Sequence, residues 1–449
     1  MSFAETDGND VLTPSPFVAE LGELFVTNSK GDKLAPTDVA DEDVYTEAQA
    51  VAKVILNTRK LKDNQVVKMP TYTVLASKYA DKLAKYGFTK NGKDIRVARG
   101  AELYLKNART SVSQLTDFFK CPYNFYFRYG LNVKPREIAE LQSSDLGNIL
   151  HAVLENYVRC LDVNETKRET EVKAKRCFEN ALADDFYKGL RTDPQMRGTL
   201  AQLEEECIKM CQVVKEQLST SDFVNLETEM AFGDGEEFPP VEVRFDGGSF
   251  RLVGKIDRVD VKDKRFIVID YKSGATAAAY GEKYLYTGQK MQLLVYMKAV
   301  MNNHPDYRPA GFYYFNMHNR FSKVDDDKVY FYNGRTLNDV DVACAIDRKL
   351  TGGSSEKLGL SITKKGTING IGPIISDEQF DNQIDYAFKL IANAGNLLKQ
   401  GYAAVSPYEG VCSFCDYKNI CDFGDVYSYN ARKVDKKITK DVIDRAVKK

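Results

Sequence analysis

"GKIDRVDVKDKRFIVIDYKSG", residues 254–274, sets two carboxylates and a lysine inside what otherwise reads as the buried middle of a β-hairpin. The run RFIVID is continuous in β-branched and aromatic residues, as a strand covered on both faces requires, and FRLVGKIDRVDV before it supplies an antiparallel partner. With Asp263 and Lys264 as the turn, paired residues have numbers that sum to 527, although the turn lacks the favoured Asn-Gly or Asp-Gly pair. Asp257 then stands opposite Asp270 on one face of the hairpin, and Lys272 shares that face. Opposed carboxylates repel, and drying them at the end of a hydrophobic strand raises the cost further unless a cation bridges them. A divalent ion held by oxygen ligands, Mg²⁺ or Mn²⁺, resolves the conflict, and a nearby ammonium can orient a water and offset charge on a phosphate. The chemistry so suggested is phosphodiester hydrolysis. The competing reading is a pair of exposed strand-end salt bridges, each worth under about 1 kcal/mol.

Three features elsewhere in the chain bear on that choice. LGNILHAVLENY carries His151 on a helix with Glu155 one turn later, and His151 is one of only three histidines in the chain. A lone helical histidine is most often a core or surface residue, but an imidazole is a competent partner to carboxylates around a manganese-like ion. YTGQKMQLLVYM places Gln292 and Tyr296 on one helical face, where the plain alternative is a polar edge on a core helix. Cys412, Cys415 and Cys421 form C-x2-C-x5-C, a strong metal signal that calls for a fourth ligand. Cys121, in FFKCPYNFYFRYG, is the candidate, whereas Cys160, Cys177, Cys207, Cys211 and Cys344 sit in helical or strand patterns. Four such thiolates suit zinc or a 4Fe-4S cluster, and spacing alone admits both. Either would close a loop of roughly 290 residues and staple the ends of one domain together.

The chain has 449 residues, 43% of them hydrophobic, enough for two or three domains each with a core. Lys plus Arg (63) and Asp plus Glu (64) nearly cancel, so any site for a polyanion must be a local patch. No apolar run is long enough for a membrane span, and MSFAETDGND does not read as a secretory leader, which predicts a cytoplasmic protein. Residues 1–107 read as a helical lead-in. From 108 to 427 the pattern is a short helix, a helix at 147–160, two charged helices to about 219, a strand-rich stretch over 223–272, a helix at 288–303, strands at AGFYYFNM and KVYFY, a helix from 377 and the cysteine loop. That order predicts an α/β (α+β) fold with a mixed sheet flanked by helices. The last stretch, 428–449, has eight Lys/Arg against three Asp and reads as a solvated basic tail, with weak DNA contact as the sharper option.

In order along the chain, SVSQLTDFFKCP, LGNILHAVLENY, GKIDRVD, VIDYKSG, GQKMQLLVY and CSFCDYKNIC resemble the RecB-type PD-(D/E)XK nuclease domain. The resemblance is strongest to the iron-sulfur version at the C-terminus of the AddB/RexB subunit of bacterial ATP-dependent helicase-nucleases, and it covers residues 108–425. It implies a restriction-endonuclease-like core in which His151, Asp257, Asp270 and the backbone carbonyl of Tyr271 ligate the catalytic Mg²⁺, and Lys272 positions the water. Gln292 and Tyr296 would line the site or touch the DNA strand. By the same resemblance Cys121, Cys412, Cys415 and Cys421 hold a 4Fe-4S cluster, and Glu229 in ETEMAFG occupies a place where the family often has an acid. DGNDVLTPSPFVAEL is similar to the end of the helicase-like module that precedes the nuclease.

The departure from the family is large, because no G-x4-G-K-S/T phosphate loop is present and there is no room for the long N-terminal region. The chain would then be the C-terminal portion of a longer subunit that pairs with an AddA/RexA-type helicase-nuclease and cuts the 5′-ended single strand of DNA unwound from double-strand breaks. That strand would thread a channel for which YNFYFRYGLNVKPR is a candidate wall, against plain core. The alternatives are a free-standing iron-sulfur exonuclease of the same superfamily, like those serving CRISPR adaptation, and a catalytically silent DNA-binding scaffold.

Overall fold

Capping and hydrophobic alternation account for most of the architecture seen in the computed structural model, which describes residues 6–7, 10–11, 46–62, 70–85, 95–105, 108–134, 143–272, 279–316, 331–369, 373–421, 423 and 430–448. The chain divides into two compact units, residues 1–90 with 424–428 and residues 91–423 with 429–449. The first contains helices Glu47–Lys62, Pro70–Lys78 and Ala80–Lys85, with Val51 and Val54 buried against Leu75, Ala76 and Tyr79. Most of the stretch likened to the end of a helicase module, residues 7–21, lies outside the described residues, which include only 7, 10 and 11 of it.

In the second unit, after a short helix at Gly100–Tyr104, comes strand β1 (Arg109–Ser111), whose last residue caps helix α1 (Val112–Lys120). Ser111 Oγ accepts the Gln114 N–H at 3.3 Å while Gln114 Oε1 accepts the Ser111 N–H at 3.1 Å, a capping box that turns strand directly into helix. Then come α2 (Ser143–Arg159), α3 (Lys167–Leu182) and α4 (Arg197–Ser219), followed by strands β2 (Val224–Phe232), β3 (Val241–Phe245), β4 (Gly248–Lys262) and β5 (Arg265–Lys272). After α5 (Gln292–Asn303), β6 (Arg308–Asn316), β7 (Tyr332–Leu337) and β8 (Ile374–Ile375) complete the large sheet, and α6 (Asp377–Lys399) and α7 (Lys440–Lys448) follow.

The sheet runs in the order β8-β7-β6-β5-β4-β1, with β2 and β3 also pairing along the long strand β4. β5 is parallel to β6 and antiparallel to β4, so the sheet is mixed. Alternate residues of β5 enter two cores: Phe266 and Val268 pack under α1, α5 and α6, and Ile267, Ile269 and Tyr271 pack under α2, α3 and α4. The β4–β5 ladder keeps the expected register, from Lys262↔Arg265 to Arg258↔Ile269, around a turn at Asp263–Lys264. Asp263 adopts φ 52°, a left-handed conformation that Asp tolerates, which is how a turn without glycine closes the hairpin.

Of the strand read at KVYFY, residues 328–330 lie outside the described residues; the described strand is Tyr332–Leu337, where Gly334 lies against β6, a Cβ there would sit 1.7 Å from the Phe312 carbonyl oxygen, and only glycine lets the strands approach. The segment read as a solvated basic tail carries α7, because Val442, Ile443, Ala446 and Val447 recur at helical spacing. Ile443 is fully buried on the first core, and Asp444 accepts hydrogen bonds from Asn382 (2.8 Å) and Gln379 (3.1 Å) of α6. Residues 95–105, within the stretch read as lead-in, pack on the end of α6, where Val97 N–H donates to the Gly401 carbonyl at 2.8 Å.

The face of β4 turned to the second core buries a charge. Arg258, 1% exposed, donates from Nε to both oxygens of Asp260 at 2.9 Å and from Nη1 to Tyr271 Oη at 3.3 Å. Asp260→Ala leaves that guanidinium buried and unpaired, and urea denaturation should show a loss of about 3–5 kcal/mol. Asp306→Ala, which breaks the exposed pair with Lys264 at 3.5 Å, should leave the midpoint unchanged.

Candidate active site

The β4–β5 ladder stops at Arg258↔Ile269, one residue short of the two acids. The next amide along β5, Tyr271 N–H, donates instead to the Asp257 carboxylate at 2.6 Å, so a side chain replaces the ladder where the strands fork. Asp257 and Asp270 are both buried at this fork. Burial raises the Asp257 pKa well above the ordinary Asp range, and the charge of Asp270 adds to the rise. Asp270 Oδ2 accepts no hydrogen bond among the described residues, and its cation is Lys272, two residues along the same strand.

Helix α5 supplies the next layer. Its buried face of Leu293, Leu294 and Met297 docks on the sheet, which leaves Gln292 and Tyr296, one turn apart, directed at the end of β5. Lys272 Nζ donates to Gln292 Oε1 at 3.1 Å, and Gln292 Nε2 donates to Tyr296 Oη at 2.8 Å. The Tyr296 hydroxyl is held far above the usual phenol range by burial and by the charge of Asp270. From the other face, α2 buries Ile149, Leu150, Val153 and Leu154 and presents His151 on its flank, Nδ1 lying 3.5 Å from Asp257 Oδ2. Burial lowers the imidazole pKa, which favours the neutral, ligating form. Tyr271 points its ring into the second core, 6.1 Å from the His151 ring, which leaves only its backbone for the site.

Glu229, which carried only a weak expectation, belongs to this centre. Ligand atoms of His151, Glu229 and Asp257 all lie within 4.8 Å of one another. The β2–β4 ladder runs from Thr228↔Arg258 to Met230↔Ile256 and skips the intervening pair, where Glu229 stands beside Asp257 at φ 59°. Glu229, Asp257 and Asp270 therefore form a row across three adjacent strands. Burial raises the Glu229 pKa, and Lys255 pairs with it. A left-handed residue inside a strand leaves no mark in a hydrophobic pattern, which is why alternation did not single it out. Lys290, two residues before Gln292 in the motif GQKMQLLVY, also carries no signal in that pattern; its ammonium lies 4.5 Å from the centre of the Tyr314 ring, beside that of Lys272 at 5.5 Å.

The four cysteines of interest share one pocket. Cys121, at the junction of α1 and the following turn, lines it together with Cys412, Cys415 and Cys421. Burial raises the thiol pKa of Cys121, and of Cys421 to about 12. Asn124 Nδ2 donates to Cys415 Sγ at 3.1 Å, a contact suited to a thiolate. Of the aromatic stretch proposed as a channel wall, Phe125 enters the core, Tyr123 lines the cysteine pocket, and Phe127 stacks on Tyr417 at 5.3 Å. Residues 135 and 136 of that stretch lie outside the described residues.

The PD-(D/E)XK nuclease superfamily matches the chain over residues 109–422. The chain is similar to the B-type subunit of the ATP-dependent helicase/deoxyribonuclease of Clostridium tetani, 28% identical over 370 residues, covering 75% of this chain and 32% of that protein. The protein of that name from Clostridium acetobutylicum is 30% identical over 381 residues, and that from Bacillus cereus 26% over 378, each match covering 76% of this chain and 32% of the relative. The chain thus spans about a third of the length of these relatives. Among the described residues no helix is long and apolar enough to cross a membrane.

The raised folded pKa of Asp257 has a definite sign. Its contribution to stability is fully present below the ordinary Asp range and is lost as pH rises through the folded value. Without divalent metal, thermal stability should fall between about pH 5 and about pH 8, and Mg²⁺ or Mn²⁺ should raise the melting temperature more at the higher pH. Asp257→Asn should remove both the pH-dependent loss and most of the metal-dependent gain.

Proposed function

Because the chain belongs to the PD-(D/E)XK nuclease superfamily, we propose that residues 108–427 form a metal-dependent nuclease domain that hydrolyses single-stranded DNA, on the 5′-ended strand, as part of an AddAB/RexAB-type helicase-nuclease. The observation that carries the reading is the fork at the end of β4 and β5, where Asp257 and Asp270 are both buried, the charge of each acting on the other, and Lys272 pairs with Asp270. Like charges so placed favour a divalent cation, and the buried Asp270 carboxylate, whose Oδ2 meets the Lys272 ammonium, is an oxygen donor suited to one. His151, Asp257, Asp270 and the carbonyl of Tyr271 would hold Mg²⁺ or Mn²⁺, with Glu229 beside them. The ion would polarise the phosphate and lower the pKa of a water.

The remaining work falls to side chains. Gln292, itself held by Tyr296, fixes the Lys272 ammonium between an amide oxygen and Asp270. From there it can donate a hydrogen bond to a non-bridging phosphate oxygen and stabilise the charge that builds as a water oxygen bonds to phosphorus. The bridging P–O bond breaks and the leaving oxygen takes a proton. Burial of the whole row strengthens each of these interactions, since little water remains to screen them.

Cys121, Cys412, Cys415 and Cys421 would hold a 4Fe-4S cluster, and four thiols lining one pocket are a donor set that suits it. The cluster's role would be structural, tying the start of the domain to its end. The partner would be an AddA/RexA-type helicase-nuclease, the setting cytoplasmic processing of double-strand breaks, and the segments before residue 108 the remnant of a helicase-like module; the relatives' names support the first of these.

Digestion of end-labelled single-stranded DNA should require Mg²⁺ or Mn²⁺, and Lys272→Ala should lower the rate by about a hundredfold or more. Equal nucleotide release by the two proteins would end the enzyme reading. Anaerobically purified protein should absorb at about 400 nm and contain iron, and Cys415→Ser should lose both along with thermal stability; stoichiometric zinc without iron would overturn the cluster.

A further inference from the structure

Lys255, the second residue of the motif GKIDRVD, takes no part in the mechanism above, yet its ammonium meets the acid row. It pairs with Glu229, whose side chain is 9% exposed against 54% for Lys255, so the pair joins an enclosed acid to a cation at the solvent edge. Glu155 and Asp257 also act on this ammonium, but Glu155 is engaged by Arg159 at 2.8 Å. Ligand atoms of Glu229 lie within 4.8 Å of those of His151 and Asp257, close enough for the three to take an ion of their own beside one at the fork. Two divalent ions about 3.5–4 Å apart are a common device for phosphodiester cleavage. The charges at this centre argue against a second ion here. Asp257, Asp270 and Glu229 bring three negative charges, and Lys272 and Lys255 bring two positive ones. One divalent ion leaves a single positive charge, which one phosphodiester neutralises; a second would leave an excess that little water screens.

We propose that Lys255 stands in for a second metal ion: its ammonium satisfies Glu229 and so limits the centre to one divalent cation. The assignment rests on the metal-dependent nuclease reading and deepens it, because it states how many ions the acid row takes and which side chain sets that number. Lys255 is a positioning residue, acting through Glu229 and not on the substrate. A lysine suits the part, since a flexible stem carries a point charge to the carboxylate from the exposed edge of β4.

Titration with Mn²⁺ in the absence of DNA, followed by electron paramagnetic resonance, counts the ions. The unaltered protein should bind one Mn²⁺ and show the sharp hyperfine lines of an isolated ion. Lys255→Met keeps the apolar stem and removes the charge; it should bind two, with those lines broadened by coupling between neighbouring ions. Lys255→Arg should bind one. Glu229→Gln should weaken the first ion about tenfold, because the Lys255 ammonium is then left beside it without its carboxylate. Adding Lys255→Met to Glu229→Gln should recover that affinity and still give one ion. One ion in Lys255→Met, two in the unaltered protein, or an unchanged affinity in Glu229→Gln would reduce the ammonium to an ordinary salt-bridge partner and overturn the proposal. Absence of Mn²⁺ from every form would end the metal-dependent reading and this inference together. No ion in the unaltered protein but one in Lys255→Met would end that reading of the fork and sustain the role of Lys255.

Discussion

Two acids buried at the point where β4 and β5 part are the constraint on which the rest of the site depends. A ladder that continued would have satisfied the Tyr271 amide with backbone; here Asp257 does it, and its buried carboxylate feels the charge of Asp270. Everything around the fork reads as a response to that placement. Lys272 answers Asp270, Gln292 and Tyr296 hold Lys272, His151 approaches Asp257 from the opposite face, and Lys255 answers Glu229. Drying strengthens each of these interactions and equally the repulsion among the acids. The arrangement is poorly suited to a merely structural role, for which the fully paired Arg258 and Asp260, one and three residues beyond Asp257, offer the contrast within the same strand.

Much of this was legible in the chain because it followed from periodicity. A continuous apolar run could only be a central strand, and a two-residue turn then fixed which residues face each other as far as Arg258 and Ile269, one pair short of the acids. The helices bearing His151 and Gln292 announced themselves by three- and four-residue spacing, and the paired cysteines by their own. Less legible was whatever depended on a break in regularity. Glu229 reaches the centre because β2 takes a left-handed residue there, and Gly334 lets β7 run close against β6. Basic composition at the C-terminus concealed four apolar residues at helical spacing, enough to make a packed helix from what charge alone marks as a tail.

The two ends of the unit meet at the cysteine pocket. α1 delivers Cys121 and the loop after α6 delivers the other three, while Tyr417 stacks on Phe127 and donates from its hydroxyl to the Val133 carbonyl at 2.6 Å. Arg128 ties Asp117 of α1 to Asp416 of the cysteine loop at 3.2 and 2.7 Å. These contacts bind the start of the domain to its finish without crossing the acid row.

The most direct measurement is the anomalous difference density of crystals grown with Mn²⁺. The account predicts one strong peak at the fork, within coordination distance of Asp257 and Asp270 and in reach of His151. An empty fork with the two carboxylates turned apart, or with the Lys272 ammonium filling the space between them, would contradict it.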